Sequence, residues 1–374
     1  MQATRTLRSR AARRAIRGAT VTTLHQAIAF DALQHLDVAD STGWERLFMG
    51  HARTLALGAA APDVDFRDFR NHLLFPNDGM WGGAAAKAEC WQRNLTSALA
   101  RSEWENASYC AGVLSHYIID AMHPLHTAQS QADNDVYAAL ACYTHVNYSE
   151  LARGARAPAT HDGGRQDRSA AAAVISGAVS ANRQYDALLT HIELGRLTSD
   201  PRCGLDWQAR ALMAAFVRKA TEVFAAQLGS AIERSGARLP ATAVPYSGMR
   251  ALAAIPFTAV SRWRRGRSLR RAAENAVAEY TATGAVTHAA PPEIRVKREL
   301  YAREVLARPD ASASSNVLAM PARTCAQPGE KRPFASAAIL QFQPAAEFRR
   351  MPTFVRHRQP DASFAQRHVA RIED

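Results

Sequence analysis

Apolar residues recur every three to four positions through much of the first two thirds of the chain. Segments 103–122, 168–197 and 205–235 show this spacing most clearly, with Gly, Pro or Asp near their ends, and they read as long amphipathic helices. Strand-like alternation of β-branched residues is scarce, and Ala-rich stretches dominate. The expected class is all-α: a multi-helix bundle whose facing helices aim side chains into a shared interior. The pattern changes beyond about Leu239. ALAAIPFTAV (251–260) runs straight into SRWRRGRSLRR (261–271), and 279–309 reads as a short linker followed by a charged helix. From Asp310 onward Ser, Ala, Pro and Arg follow no period, which suggests a disordered tail. Four regions result: a basic, disordered tail over 1–19, a helical domain over 20–238, a basic linker and accessory helical region over 239–309, and the tail over 310–374.

Composition changes this picture little. The 374 residues, 47% of them hydrophobic, are enough to bury a real core. Trp81, Trp91 and Trp104 either pack the bundle or form an aromatic wall for a lipid or base. Cys90, Cys110, Cys142, Cys203 and Cys325 have no zinc-finger spacing, and an odd number cannot all pair, so they do not read as a disulfide framework. Cys110 sits in an apolar helical run as a small core residue; Cys142, three residues before His145, is either structural or an adventitious metal ligand.

Charge narrows the partners without choosing one. A net charge of +12 and a pI near 10.0 favour polyanions, phospholipid and nucleic acid alike. Much of the excess lies in two Arg clusters. The first is Arg5, Arg8, Arg10, Arg13, Arg14 and Arg17, with no acid among them and no apolar signal core after them, because His25, Gln26 and Asp31 interrupt the next apolar stretch. As written, this implies a cytoplasmic or peripheral membrane protein, or a secreted one if the true start lies elsewhere. The second follows the apolar patch at 251–260 and surrounds Trp263. It suits peripheral contact with a membrane through 251–271, less readily nucleic acid, or a solvated helix end docked on the main domain.

Candidate chemistry concentrates in SHYIIDAMHPLHT (115–127). His116 and Asp120 stand i, i+4 on one helix face, and Pro124 stops the helix so that the chain bends His126 back towards them, while His123 points outward. Asp63 after Pro62, His72, His145 and His25 extend the set. Imidazoles and carboxylates suit zinc, which tolerates open positions filled by water and promotes attack at phosphorus. Asp63 either orients the attacking water or caps a helix; Asp65 and Asp68 read as caps or solvated charges. His51, His161 and His191 read as surface or core residues.

HQAIAFDAL, APDVDF with NHLLFPND, EWENASYCAGVLSHYIIDAMHPLHT and HVNYSE together resemble the zinc-dependent phospholipase C family, and more distantly the fungal single-strand nucleases that share its fold. The resemblance covers roughly residues 20–235 and is most specific in the central run. It implies an all-helical domain holding two to three zinc ions. Asp63, His72, His116 and Asp120 would hold one, Asp120 would bridge to a second completed by His25, and His126 and His145 would hold another. Two positions depart from the family pattern. No Trp precedes Trp44 to supply an amino-terminal ligand, and Ser149 stands where an acid is expected, with Glu150 one residue later. About 100° per residue turns Glu150 away from His145, so either a π-bulge realigns it as a ligand or it faces solvent. The resemblance implies a zinc-dependent phosphodiester hydrolase acting on a phospholipid head group. The alternatives are a nuclease with the same zinc cluster and a non-catalytic zinc-binding adaptor.

Overall fold

The computed structural model describes residues 2–154, 169–199, 204–240 and 248–307. These form thirteen α-helices: α1 (Gln2–Thr20), α2 (Leu24–Ala32), α3 (Ser41–Gly50), α4 (Ala52–Ala61), α5 (Ala84–Ala100), α6 (Trp104–Met122), α7 (Gln131–Gly154), α8 (Ala170–Asn182), α9 (Tyr185–Thr190), α10 (Leu194–Ser199), α11 (Trp207–Ser235), α12 (Gly248–Thr283) and α13 (Pro292–Tyr301). Two short antiparallel strands, β1 (Leu74–Phe75) and β2 (Trp81–Gly82), complete the regular elements, so the all-α class holds. The expected disordered tail at 310–374 lies outside the described residues.

Local signals account for the main boundaries. Thr23 and Gln26 form a reciprocal capping box at the start of α2, and the Asp206 carboxylate accepts from the Ala209 N–H to open α11. Gly236, with φ of 62°, closes α11 in the left-handed conformation that glycine adopts without strain. The single helix expected over 168–197 is instead three. A turn at Arg183 and Gln184 follows α8, and Ile192 pairs with Leu205 in an isolated bridge between α9 and α10.

α6 is the central element: Leu114, Tyr117, Ile118 and Ala121 have no exposed surface, and it contacts α4, α5, α8 and α11. Its approach to α4 is closer than side chains allow. A Cβ at Gly58 would lie 2.2 Å from the Tyr109 carbonyl oxygen, and one at Gly112 would lie 2.2 Å from that of Leu55. Two glycines facing each other therefore let the two backbones touch. Trp91 stacks on Phe66, Trp104 meets Trp44 edge-on, and Trp81 packs on Phe75 and Tyr301, so all three tryptophans serve packing.

Two expectations change here, at the N-terminus and at the cysteines, and the accessory region finds its seat. The basic segment is not a disordered tail: residues 2–19 lie within α1, where Arg13 and Arg17 find acids and Ile16 finds the core. Arg13 pairs with Glu45 at 2.9 Å, Arg17 pairs with Asp31, and Ile16 is buried. The 248–306 region packs with the main domain as part of the same unit. Thr258 donates to the Ala19 carbonyl, Val286 N–H to Asp135 and Trp81 Nε1 to Glu304, while Ile294 is buried. Finally, Cys90 is disulfide-bonded, whereas Cys110 and Cys142 are free and buried.

Candidate metal centre

The residue at the middle of the site is Asp120, buried on the last turn of α6, and its two oxygens face different partners. Oδ2 lies 3.0 Å from His72 Nδ1 and 3.0 Å from His116 Nε2. Those two nitrogens are 3.3 Å apart, and Asp63 Oδ1 is 3.6 Å from each. Oδ1 of Asp120 instead lies 2.8 Å from His25 Nε2 and 3.8 Å from His126 Nδ1. Tetrahedral zinc with ligands at its usual bond lengths spaces neighbouring donors by roughly 3.3–3.6 Å, the scale of the five separations among Asp63, His72, His116 and Asp120. The donor sets Asp63, His72, His116 and His25, His116, Asp120 are each positioned to hold a metal ion.

Backbone and neighbours aim these donors. His116 Nδ1 is 2.8 Å from the Ala59 carbonyl oxygen, a contact the close α4–α6 packing permits, and this turns Nε2 towards the centre. His25 stacks on the His116 ring with centroids 3.9 Å apart. A π-helical turn at Pro62–Phe66 widens the end of α4 and carries Asp63; Arg67, with φ of 49°, closes it. A 3-10 turn at Phe69–His72 then seats His72, whose Nε2 lies 3.4 Å from Asp68 Oδ1. After Met122 the chain turns through Pro124–His126 and brings His126 beneath Asp120, where Tyr137 Oη is 3.4 Å from its Nε2.

Electrostatics suit a cation. Burial alone would raise Asp120, but the facing His116, His126 and His25 hold it well below the usual carboxylate range. Burial would lower His72, yet Asp120, Asp68 and Asp63 outweigh it and raise it to about 10; His116 is raised by Asp120 and Asp63 over the same opposition. Burial lowers His126 to about 4, and burial with His116 lowers His25, leaving both rings neutral and able to ligate. Asp120 Oδ2 and His126 Nδ1 are buried without an aligned hydrogen bond although imidazoles and a carboxylate stand within 4 Å of them. Polar atoms converging without satisfying one another fit an ion between them.

Not every expected ligand arrives. Glu150 is exposed on α7, which continues as α-helix without a π-bulge, so its carboxylate points away as the 100° step requires. The π-helical turn occurs at Asp63 instead. His145 lines the cavity, but its ring hydrogen-bonds to the backbone of Arg262 and lies against Gly266, which separates it from both donor sets. His123 does not point outward: it packs against Phe216 and His126, and its Nδ1 accepts from the Leu125 N–H. Asp68 is no solvated charge, since it accepts from Tyr117 Oη and meets Lys87 and His72. Cys142 is buried away from both donor sets.

Sequence reasoning also missed part of the cavity. Tyr137 of α7, Arg265 and Leu269 of α12, and Glu293, Ile294 and Lys297 of α13 line it together with the donors. The i, i+4 spacing of Asp68 and His72 was a readable hint of an orienting acid; nothing local marks α13 as a wall of the site. No family model matches this chain, and no curated protein matches it.

Proposed function

We propose that this protein is a zinc-dependent phosphodiesterase that cleaves a phospholipid head-group ester, with Asp120 at the centre of the residues that would hold the metal. The observation that carries the reading is the division of the Asp120 oxygens between two donor sets, with Asp63, His72 and His116 on one side and His25 and His126 on the other. Zinc bound there supplies Lewis acidity, which makes water nucleophilic near neutral pH and offsets charge developing at phosphorus. The chain's residues do the rest. His116, fixed by the Ala59 carbonyl, and His72, backed by Asp68, keep their donor atoms at set positions. Asp63, the exposed acid of the group, is placed to orient a water and take its proton.

A lipid surface is favoured over nucleic acid by the outer face of α12. Phe257, Val260 and Trp263 are 77%, 47% and 58% exposed, and Arg267 stacks over the Trp263 ring at 4.8 Å. Large apolar side chains turned to solvent among arginines suit a helix lying at an anionic interface. No helix among the described residues is long and apolar enough to cross a membrane. Purified protein assayed against phosphatidylcholine and single-stranded DNA, each with and without a chelator, tests the reading. Chelator-sensitive release of the phosphorylated head group is expected. Turnover of DNA alone would make the protein a nuclease, and turnover of neither would leave a zinc-binding adaptor.

A further inference from the structure

We infer that Arg265 is the anchor for the phosphoryl oxygens of the substrate, an inference that rests on the phosphodiesterase reading. Six arginines crowd positions 262–271, but Arg265 is the one that lines the cavity holding His25, Asp63, His72, Asp120 and His126. The geometry of α12 makes the selection. Leu269, one turn along from Arg265, packs against the hydrophobic core, and Gly266 lies beside the His145 ring, where a Cβ would be in ordinary contact at 3.6 Å from Nε2. These contacts point the 265/269 face inward and leave Arg267 outside, over Trp263.

Arg265 is also uncommitted. The other cationic side chain of the wall, Lys297, is taken: its Nζ donates to Asp133 Oδ2 and to the Leu125 carbonyl, both at 2.8 Å. Among the described residues Arg265 forms neither an ion pair nor a side-chain hydrogen bond. Glu293 shares the wall and feels its charge, but no ion pair joins them. A guanidinium presents a planar fork of donors that matches two oxygens of a phosphoryl group, and a half-buried one in a cavity with metal donors has no other evident task. The extension that lies beyond the region of family resemblance thus supplies the group that positions the substrate.

The test uses the full-length, zinc-loaded protein and its R265A and R265K variants. Three quantities are measured: zinc content, binding of inorganic phosphate by calorimetry, and kinetics on short-chain phosphatidylcholine and on a dinucleoside monophosphate. Losing a charge-assisted contact should weaken phosphate binding and raise KM for the lipid by about tenfold or more in R265A, with part recovered in R265K. Zinc content should not change. Phosphate binding by R265A within about twofold of the parent, or a loss that follows loss of zinc, would overturn the inference. Arg265-dependent turnover of the dinucleotide but not of the lipid would overturn the lipid assignment. Arg265-dependent phosphate binding without turnover of either diester would sink the hydrolase reading while leaving the anion site in place. Lipid turnover that ignores the substitution would do the reverse.

Discussion

The cavity has two walls of different origin. One comes from α2, α4, α6 and the turns at 62–72, and two of its imidazoles have a fixed backing: a carbonyl at 2.8 Å behind His116, and Asp68 with Tyr117 behind His72. The other comes from α7, α12 and α13. There His145 is engaged by the Arg262 backbone, Glu150 faces solvent, and the lining is Arg265, Glu293 and Lys297, with Tyr137 beside His126. Cation binding needs atoms fixed to a fraction of an ångström, and helix backbones in direct contact provide that. The second wall instead carries charge on longer side chains rather than a closed ligand set.

Asp120→Ala should have the largest effect, because it removes the carboxylate whose two oxygens face His72 and His116 on one side and His25 on the other: zinc content by elemental analysis should collapse and lipid turnover should fall to background. A variant that keeps its zinc would erase the distinction between the walls. Lys297→Met strikes the second wall. It strands Asp133, 1% exposed, without its cation, and should cost about 3–5 kcal/mol in denaturant unfolding. A loss below about 1 kcal/mol would mean that α13 is held by its apolar contacts alone. Gly112→Ala probes the close packing behind the first wall. Forcing a methyl against the Leu55 carbonyl should cost about 1–3 kcal/mol in thermal unfolding and weaken zinc binding with it. Destabilisation with unchanged zinc affinity would separate packing from ligation. Glu150→Ala should do least, shifting stability by no more than about 0.5 kcal/mol and leaving zinc content unchanged; a drop in zinc would restore Glu150 to the ligand set.

The α6 end of the first wall was legible beforehand. His116 and Asp120 sit at i, i+4, and a proline directly after His123 forces a turn that returns His126, so helical geometry and one breaker residue suffice. The failures share a cause too. The span 168–197 has helical periodicity throughout, yet breaks where Ile192 finds Leu205, a contact with no local signature. Arg13 and Arg17 look solvated until Glu45 and Asp31 arrive opposite them. His123 has no mark of inwardness until Phe216 covers it.

The amino-acid sequence by itself determined the helical class, the end of α6 at Met122 and the facing of His116 and Asp120, because rotation per residue and backbone sterics act within a few positions. Tertiary structure alone decided that Asp63, His72 and His25 meet Asp120, that His145 is engaged elsewhere, and that α12 and α13 close the cavity with Arg265 and Lys297. Those outcomes depend on which surfaces come into contact across tens to hundreds of residues, where packing and charge pairing choose the partner and local periodicity is silent.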